Sequence, residues 1–138
     1  MSKIYVLDAC ALIAVLSNEE GADKVVSAYN EVISGKAEII MNAINLLEVY
    51  YGDYRVHGKE TADKMVTTLK ASHIKIVSEI NDDIFAEAGR LKATYAISLA
   101  DSIAVALAKV TNGIFMTADH HELDTVEMRE SVHFLWIR

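Results

Sequence analysis

Ile4-Tyr5-Val6-Leu7-Asp8-Ala9-Cys10-Ala11-Leu12 decides how the rest of the chain is read. Ile4–Leu7 is a short continuous apolar run, the pattern of a strand covered on both faces. A helix is predicted from Ala9 to Leu16, so the chain opens as strand then helix with a carboxylate at the junction. The same alternation continues. Ala22, Val25, Val26, Tyr29, Val32 and Ile33 share one face of a second helix, which Ser34-Gly35-Lys36 ends. Ser17-Asn18-Glu19-Glu20 before it reads as a turn with a capping box from Ser17 to Glu20. Glu38–Met41 is a second strand, followed by a long helix from Ala43 toward Arg55 and a break at Gly58.

Thr61–Ser72 then reads as a helix with Ala62, Met65, Val66 and Leu69 inward, and Ile74–Val77 as a third strand. Asn81 is placed to cap a helix whose inward set is Ile84, Phe85, Ala88, Leu91 and Tyr95. Asp101–Val110 is so uniformly apolar that it belongs at the centre of the molecule. Ile114–Thr117, Asp119–Val126 and Val132–Ile137 complete the series as strand, helix and strand. Strands alternating with helices predict an α/β fold of three layers: a mostly parallel central sheet of about five strands with helices on both faces. No linker, repeat or low-complexity stretch divides residues 1–138, so a single domain is expected.

Bulk composition limits the function classes. Hydrophobic residues make up 52% and charged residues 24%, the balance of a globular chain and not a disordered one. Cys10 is the one cysteine, which excludes an intramolecular disulfide and a cysteine-ligated zinc cluster and suits the cytoplasm. No run is long enough to span a membrane, so no membrane partner is expected. Proline is absent, leaving turns to Gly, Asn, Asp and Ser. The net charge of −7 argues against broad electrostatic capture of duplex DNA.

Four acids lie in or beside apolar segments: Asp8, Glu48, Asp101 and Asp119. Three of them have a structural explanation. Asp8, Asp101 and Asp119 stand at helix starts, where a carboxylate caps amides; Ser98 with Asp101, and Asp119 with Glu122, have capping-box spacing. Glu48 is different, because it sits inside its helix among Ile44, Leu46, Leu47, Val49, Tyr50 and Tyr51. Its alternative is an ion pair with Arg55 or Lys92. In a parallel sheet, ligands bind at the carboxyl ends of the strands, where Asp8 and Asp119 both fall. Gathered together, the four would repel one another unless a cation intervened. A carboxylate set with no cysteine suits Mg²⁺, or Mn²⁺ as a substitute, better than zinc. The activity of such a centre is metal-dependent phosphodiester hydrolysis.

With these residues in view the chain resembles the PIN-domain nucleases, and at this length the VapC-type toxins of toxin–antitoxin pairs. The likeness rests on Ile4–Asp8, Asn45-Leu46-Leu47-Glu48, Leu99-Ala100-Asp101-Ser102-Ile103-Ala104 and Thr117-Ala118-Asp119, in that order, and extends over essentially the whole sequence. It implies cleavage of single-stranded or structured RNA, with Asp8 and Asp101 as the principal metal ligands and Asp119 and Glu48 completing the site. It also implies a homodimer and a cognate antitoxin that blocks the cleft. Thr117 is expected to orient water or a ligand. One departure stands out: the family's first Asp is usually followed by a small hydroxyl residue, whereas here Ala9-Cys10 follow Asp8.

Other functions share parts of this pattern. A phospho-acceptor receiver domain would need paired acids after the first strand and a lysine after the last; Asp8 stands alone, and Arg138 ends the chain. A binding-only protein with a dead site, and an RNA-processing nuclease unconnected with a toxin, both keep the same fold. Arg55, Arg90, Lys92 and Lys109 are candidates for RNA phosphates, with solvated helix faces as the alternative. His120 and His121 diverge on a helix and read as exposed, and Trp136 as core or a subunit contact.

Overall fold

Five strands pair in the order β3-β2-β1-β4-β5 in a computed structural model that describes residues 3–138. They are β1 (Lys3–Leu7), β2 (Ala37–Asn42), β3 (Ile74–Val77), β4 (Ile114–Thr117) and β5 (His133–Trp136). Every pairing is parallel, so the sheet is parallel throughout. Seven helices connect the strands: α1 (Ala9–Leu16), α2 (Ala22–Ile33), α3 (Ala43–His57), α4 (Lys59–Lys70), α5 (Asp82–Thr94), α6 (Leu99–Thr111) and α7 (His120–Arg129).

Alternation along the strands divides the core in two. Val6, Ile40, Phe115 and Phe134 point to one face, where they meet Ile84, Leu91, Ile103, Leu107 and Leu123 of α5, α6 and α7. Tyr5, Leu7, Ile39, Met41 and Met116 point to the other, against Leu12, Val25, Leu46, Val49 and Leu69 of α1 to α4. Burying a side chain such as Phe115 or Leu7, both 0% exposed, contributes roughly 1.5–3 kcal/mol. Residues Ala100 to Ala108 of α6 are all buried, as a central helix requires. An ion-pair network locks the α5–α6–α7 side. Arg90 bonds Glu87 and Glu130, Lys109 bonds both of the same acids, and the Tyr95 hydroxyl donates to Glu130.

The chain runs outward through β1, β2 and β3, then returns to place β4 on the other side of β1. Strand order therefore reverses between β1 and β4. Side chains at the carboxyl ends of those two strands face a crevice between diverging connections, the usual ligand position in open parallel sheets.

Local details depart from the sequence expectations. The Ser17–Glu20 capping box does not form; α2 is capped by Gly21 in the left-handed conformation with no side-chain bond. Glycine is required there twice over: φ is +95°, and a Cβ would lie 2.5 Å from the Ile137 carbonyl oxygen. Phe85, Val26 and Ile33, expected inward, are 73%, 46% and 57% exposed. Tertiary packing uses a narrower stripe of each helix than its apolar residues allow. Helix α6 begins at Leu99, two residues before its expected start, because Ser98 caps it.

Substituting Gly21→Ala is expected to destabilise the fold by more than about 1 kcal/mol in chemical denaturation, since neither φ nor space suits a Cβ. A variant as stable as the parent would contradict this account of the α2 cap.

Candidate metal centre

Asp8 leaves the central strand β1 and caps α1, one carboxylate oxygen accepting the Ala11 backbone N–H at 2.9 Å. Its other oxygen accepts the hydroxyl of Thr117, the last residue of β4. Thr117 Oγ1 in turn accepts the backbone N–H of Asp119 at 3.1 Å. A single buried hydroxyl thus ties together the acids that follow the two strands at the reversal. Asp119 caps α7, accepting the Glu122 N–H at 3.3 Å. For Asp8 and Asp119, capping and membership of the cluster coexist, because each cap bond occupies one oxygen lone pair and leaves others open.

Asp101 resolves differently. The capping box on α6 is half built: Ser98 Oγ accepts the Asp101 N–H at 3.1 Å, but the Ser98 N–H donates to Glu122 at 3.0 Å. Glu122 from α7 has taken the reciprocal position of the box. The Asp101 carboxyl is left free to turn toward the other acids, and it is 8% exposed. One oxygen each from Asp101, Asp119 and Glu122 lie within 4.8 Å of one another.

Glu48 is half-buried on α3 and pairs with neither Arg55 nor Lys92. Burial, and after it the charge of Glu122, raises its pKa. Of the four sequence candidates, Asp101 and Asp119 form a close group with Glu122, Asp8 is linked to it through Thr117, and Glu48 lies near enough for charge to act between it and Asp8 and Glu122. Sequence reasoning had assigned Glu122 only to a cap. The available signal was its position three residues after Asp119, one helical turn on and on the same face.

Protonation follows from that crowding. Burial pushes Asp8 up to about 6; bonds from Thr117 and the Ala11 N–H oppose this, and the charges of Asp119 and Glu48 add to it. Burial first, then a hydrogen bond with Glu122 and the charges of Asp8, Glu122 and Asp119, holds the Asp101 carboxyl far above the usual range. Glu122 is held low, chiefly by accepting from Asp101 and also from the Ser98 N–H. The thiol of Cys10 is pushed up to about 12 by burial and by Asp8, Asp119 and Asp101. It stays a neutral thiol beside the cluster.

Among the described residues no lysine or arginine forms an ion pair with any of the five acids. Two buried and three half-buried carboxylates without such partners, offering oxygen only, fit a hard divalent cation. Two of the basic residues considered for RNA, Arg90 and Lys109, are committed to the Glu87–Glu130 network. Arg55 lies over the Tyr51 ring at 5.0 Å. His120 stacks on Trp136 at a centroid distance of 3.8 Å and bonds Asp124, so it braces β5 against α7.

Comparison with known proteins agrees with this architecture. The family model of the PIN domain matches residues 5–127. The chain belongs to the PIN-domain family, a family of nucleases. A comparison with curated protein sequences returns no match. Solved structures of similar fold include DNA-bound VapBC from Salmonella typhimurium, at 14% identity and TM-score 0.73 over 100% of both chains. VapBC-1 from nontypeable Haemophilus influenzae is similar at 17% identity and TM-score 0.72, covering 97% of this chain and 98% of that one. VapC20 of Mycobacterium tuberculosis, a toxin that cleaves the sarcin-ricin loop, is similar at 13% identity and TM-score 0.57, covering 80% and 86%. Among the described residues no helix is long and apolar enough to cross a membrane.

The raised pKa of Asp8 has a consequence for stability. A carboxyl titrating at about 6 instead of 3.8 favours folding below pH 3.8, and that contribution is lost as pH rises through about 6. By neutral pH the metal-free protein carries a cost on the order of 3 kcal/mol from this group. Asp8→Asn is expected to raise the thermal midpoint of metal-free protein at pH 7.5, the difference from the parent closing below pH 4. Equal midpoints at pH 7.5 would show that Asp8 is not strained by its neighbours.

Proposed function

We propose that the protein is a metal-dependent endoribonuclease acting as the toxin of a toxin–antitoxin pair. The observation that carries the chemistry is the cluster of Asp101, Asp119 and Glu122, with Asp8 tied to it through Thr117 and Glu48 near enough to act on Asp8 by its charge, at the strand-order reversal of a PIN fold, where among the described residues no lysine or arginine forms an ion pair with these acids. Asp8, Asp101, Asp119 and Glu48 would hold Mg²⁺ or Mn²⁺, with Glu122 added to the set. Such a cation supplies charge neutralisation at the scissile phosphate and lowers the pKa of an attacking water. The protein's own part is orientation. Thr117 aligns Asp8 and Asp119 through its hydroxyl, and Glu122 holds the start of α6 so that Asp101 faces them.

RNA is the substrate this reading favours, in keeping with a net charge of −7 that disfavours indiscriminate duplex binding. The toxin assignment is supported by fold neighbours solved as toxin–antitoxin complexes. An antitoxin segment would seat in the apolar groove between α1, α2 and α4, a cavity of ≈ 500 Å³ lined by Leu12, Leu16, Val25, Val26, Met65 and Leu69. Exposed Leu47 and Tyr51 on α3, with Phe85 on α5 and Leu99 on α6, supply apolar surface for a homodimer. The cytoplasm is the compartment this reading requires.

Asp101→Asn is expected to keep the fold and lower RNA cleavage in Mg²⁺ by more than about a hundredfold, since cation charge stabilisation is worth several kcal/mol. Full activity in a clean preparation would sink the assignment. Val26→Asp is expected to abolish co-purification with an antitoxin encoded beside the protein's own gene, which this reading requires, while leaving cleavage by the isolated protein unchanged. Retained co-purification would move the antitoxin to another surface.

A further inference from the structure

The first turn of α6, which carries Asp101, is held from two directions. From α7, Glu122 accepts the Ser98 N–H at 3.0 Å. From α3, Asn45 Nδ2 donates to the Ala100 carbonyl at 3.1 Å. Each tether comes from a residue in or next to the acidic cluster: Glu122 belongs to it, and Asn45 lies one helical turn before Glu48. The Asn45 bond joins residue 45 to residue 100, so it spans the two helices that bring Glu48 and Asp101 to the crevice.

The bond is not needed to satisfy the helix. Inside α6 the Ala100 carbonyl has the N–H four residues on as its partner, and Asn45 occupies its second lone pair. Nor does an asparagine suit this position as packing. Asn45 is 0% exposed, and its Oδ1 is buried without a protein partner. Asn42, three residues earlier, is 1% exposed and caps α3 by accepting the Ile44 N–H at 2.9 Å, and its Nδ2 is likewise unpartnered. An apolar side chain of similar size would fill the Asn45 site without leaving a buried polar atom open. What the amide provides, and an apolar side chain would not, is a directional bond between α3 and the turn that bears Asp101.

The geometry points to Asn45 as a positioning residue of the acidic centre. Its amide sets the separation of α3 and α6, and with it the spacing of Glu48 and Asp101, without touching the cation or the substrate. This rests on the metal-centre reading above. Removal of a group that orients ligands typically weakens metal binding by roughly 10- to 100-fold while leaving the ligands in place.

The test measures Mn²⁺ binding by electron paramagnetic resonance on the full chain, with RNA cleavage across a Mg²⁺ titration beside it. Asn45→Ala is expected to bind Mn²⁺ about tenfold more weakly and to need correspondingly more Mg²⁺ for half-maximal cleavage. Its maximal rate at saturating Mg²⁺ stays close to the parent's, while its metal-free thermal midpoint falls by only the few degrees that one lost buried hydrogen bond and the vacated space account for. Asn45→Asp keeps the shape but, when ionised, cannot donate to Ala100; it too binds Mn²⁺ more weakly despite its extra negative charge. Parental Mn²⁺ affinity in Asn45→Ala, or in Asn45→Asp should the first variant not fold, overturns the inference while the metal centre stands. Failure of both variants to fold makes Asn45 a residue of the fold alone and overturns it as well. A parent protein that binds no Mn²⁺ removes the metal centre, and this inference with it.

Discussion

Buried and half-buried carboxylates gathered, among the described residues, without a lysine or arginine ion pair are the constraint on which the rest of this structure depends. Asp8, Asp101, Asp119, Glu48 and Glu122 lie where β1 and β4 end, and burial, with the charges of neighbouring acids adding to it, raises the pKa values of Asp8, Glu48 and Asp101. A fold tolerates such an arrangement only if its surroundings hold the acids in place against the force that would drive them apart. Those surroundings are visible as the backbone N–H groups of Ala11, Ser98 and Glu122, and the hydroxyl of Thr117, each aimed at one of the carboxylates.

The supports come from elements far apart in sequence. Thr117 reaches Asp8 across 109 positions, and Asn45 reaches Ala100 across 55. Both depend on the parallel sheet, which sets β1 between β2 and β4 and brings the amino ends of α1, α3, α6 and α7 to the same edge. Helix starts present unpaired N–H groups and the positive end of the helix dipole, so their convergence partly offsets the charge gathered there. The opposite side of the molecule solves a different problem by ordinary means. Four donors from Arg90, Lys109 and Tyr95 surround Glu130 and hold it down to about 2 despite its burial. The contrast separates the two acidic regions: one is neutralised by the chain's own cations, and the other is left open.

Much of the architecture was legible along the chain. The five strands, the capping of α5 by Asn81 and of α6 by Ser98, and the central position of α6 all follow from local pattern, because continuous apolar runs and cap residues act over a few positions. The four sequence candidates were legible as acids in apolar settings. What local pattern could not supply was which of two jobs each acid performs. Asp8 and Asp119 do both. At α6 the cap position expected of Asp101 is filled by Glu122, a residue 24 positions from Ser98, and no spacing rule reaches that far. Gly21 was equally hidden, since its necessity comes from the approach of the Ile137 carbonyl at the far end of the chain.

By itself the sequence determined the order of elements, the parallel α/β class, the family likeness and the acids available for a site, since each of these is written in residue type at short range. Only the tertiary structure decided that Glu122 joins them, that Arg90 and Lys109 are committed to other acids, and that Asn45 spans the helices carrying Glu48 and Asp101. The physical reason is range: apolar periodicity and capping act within a turn or two, whereas burial, charge and hydrogen bonding between elements depend on which strands lie side by side.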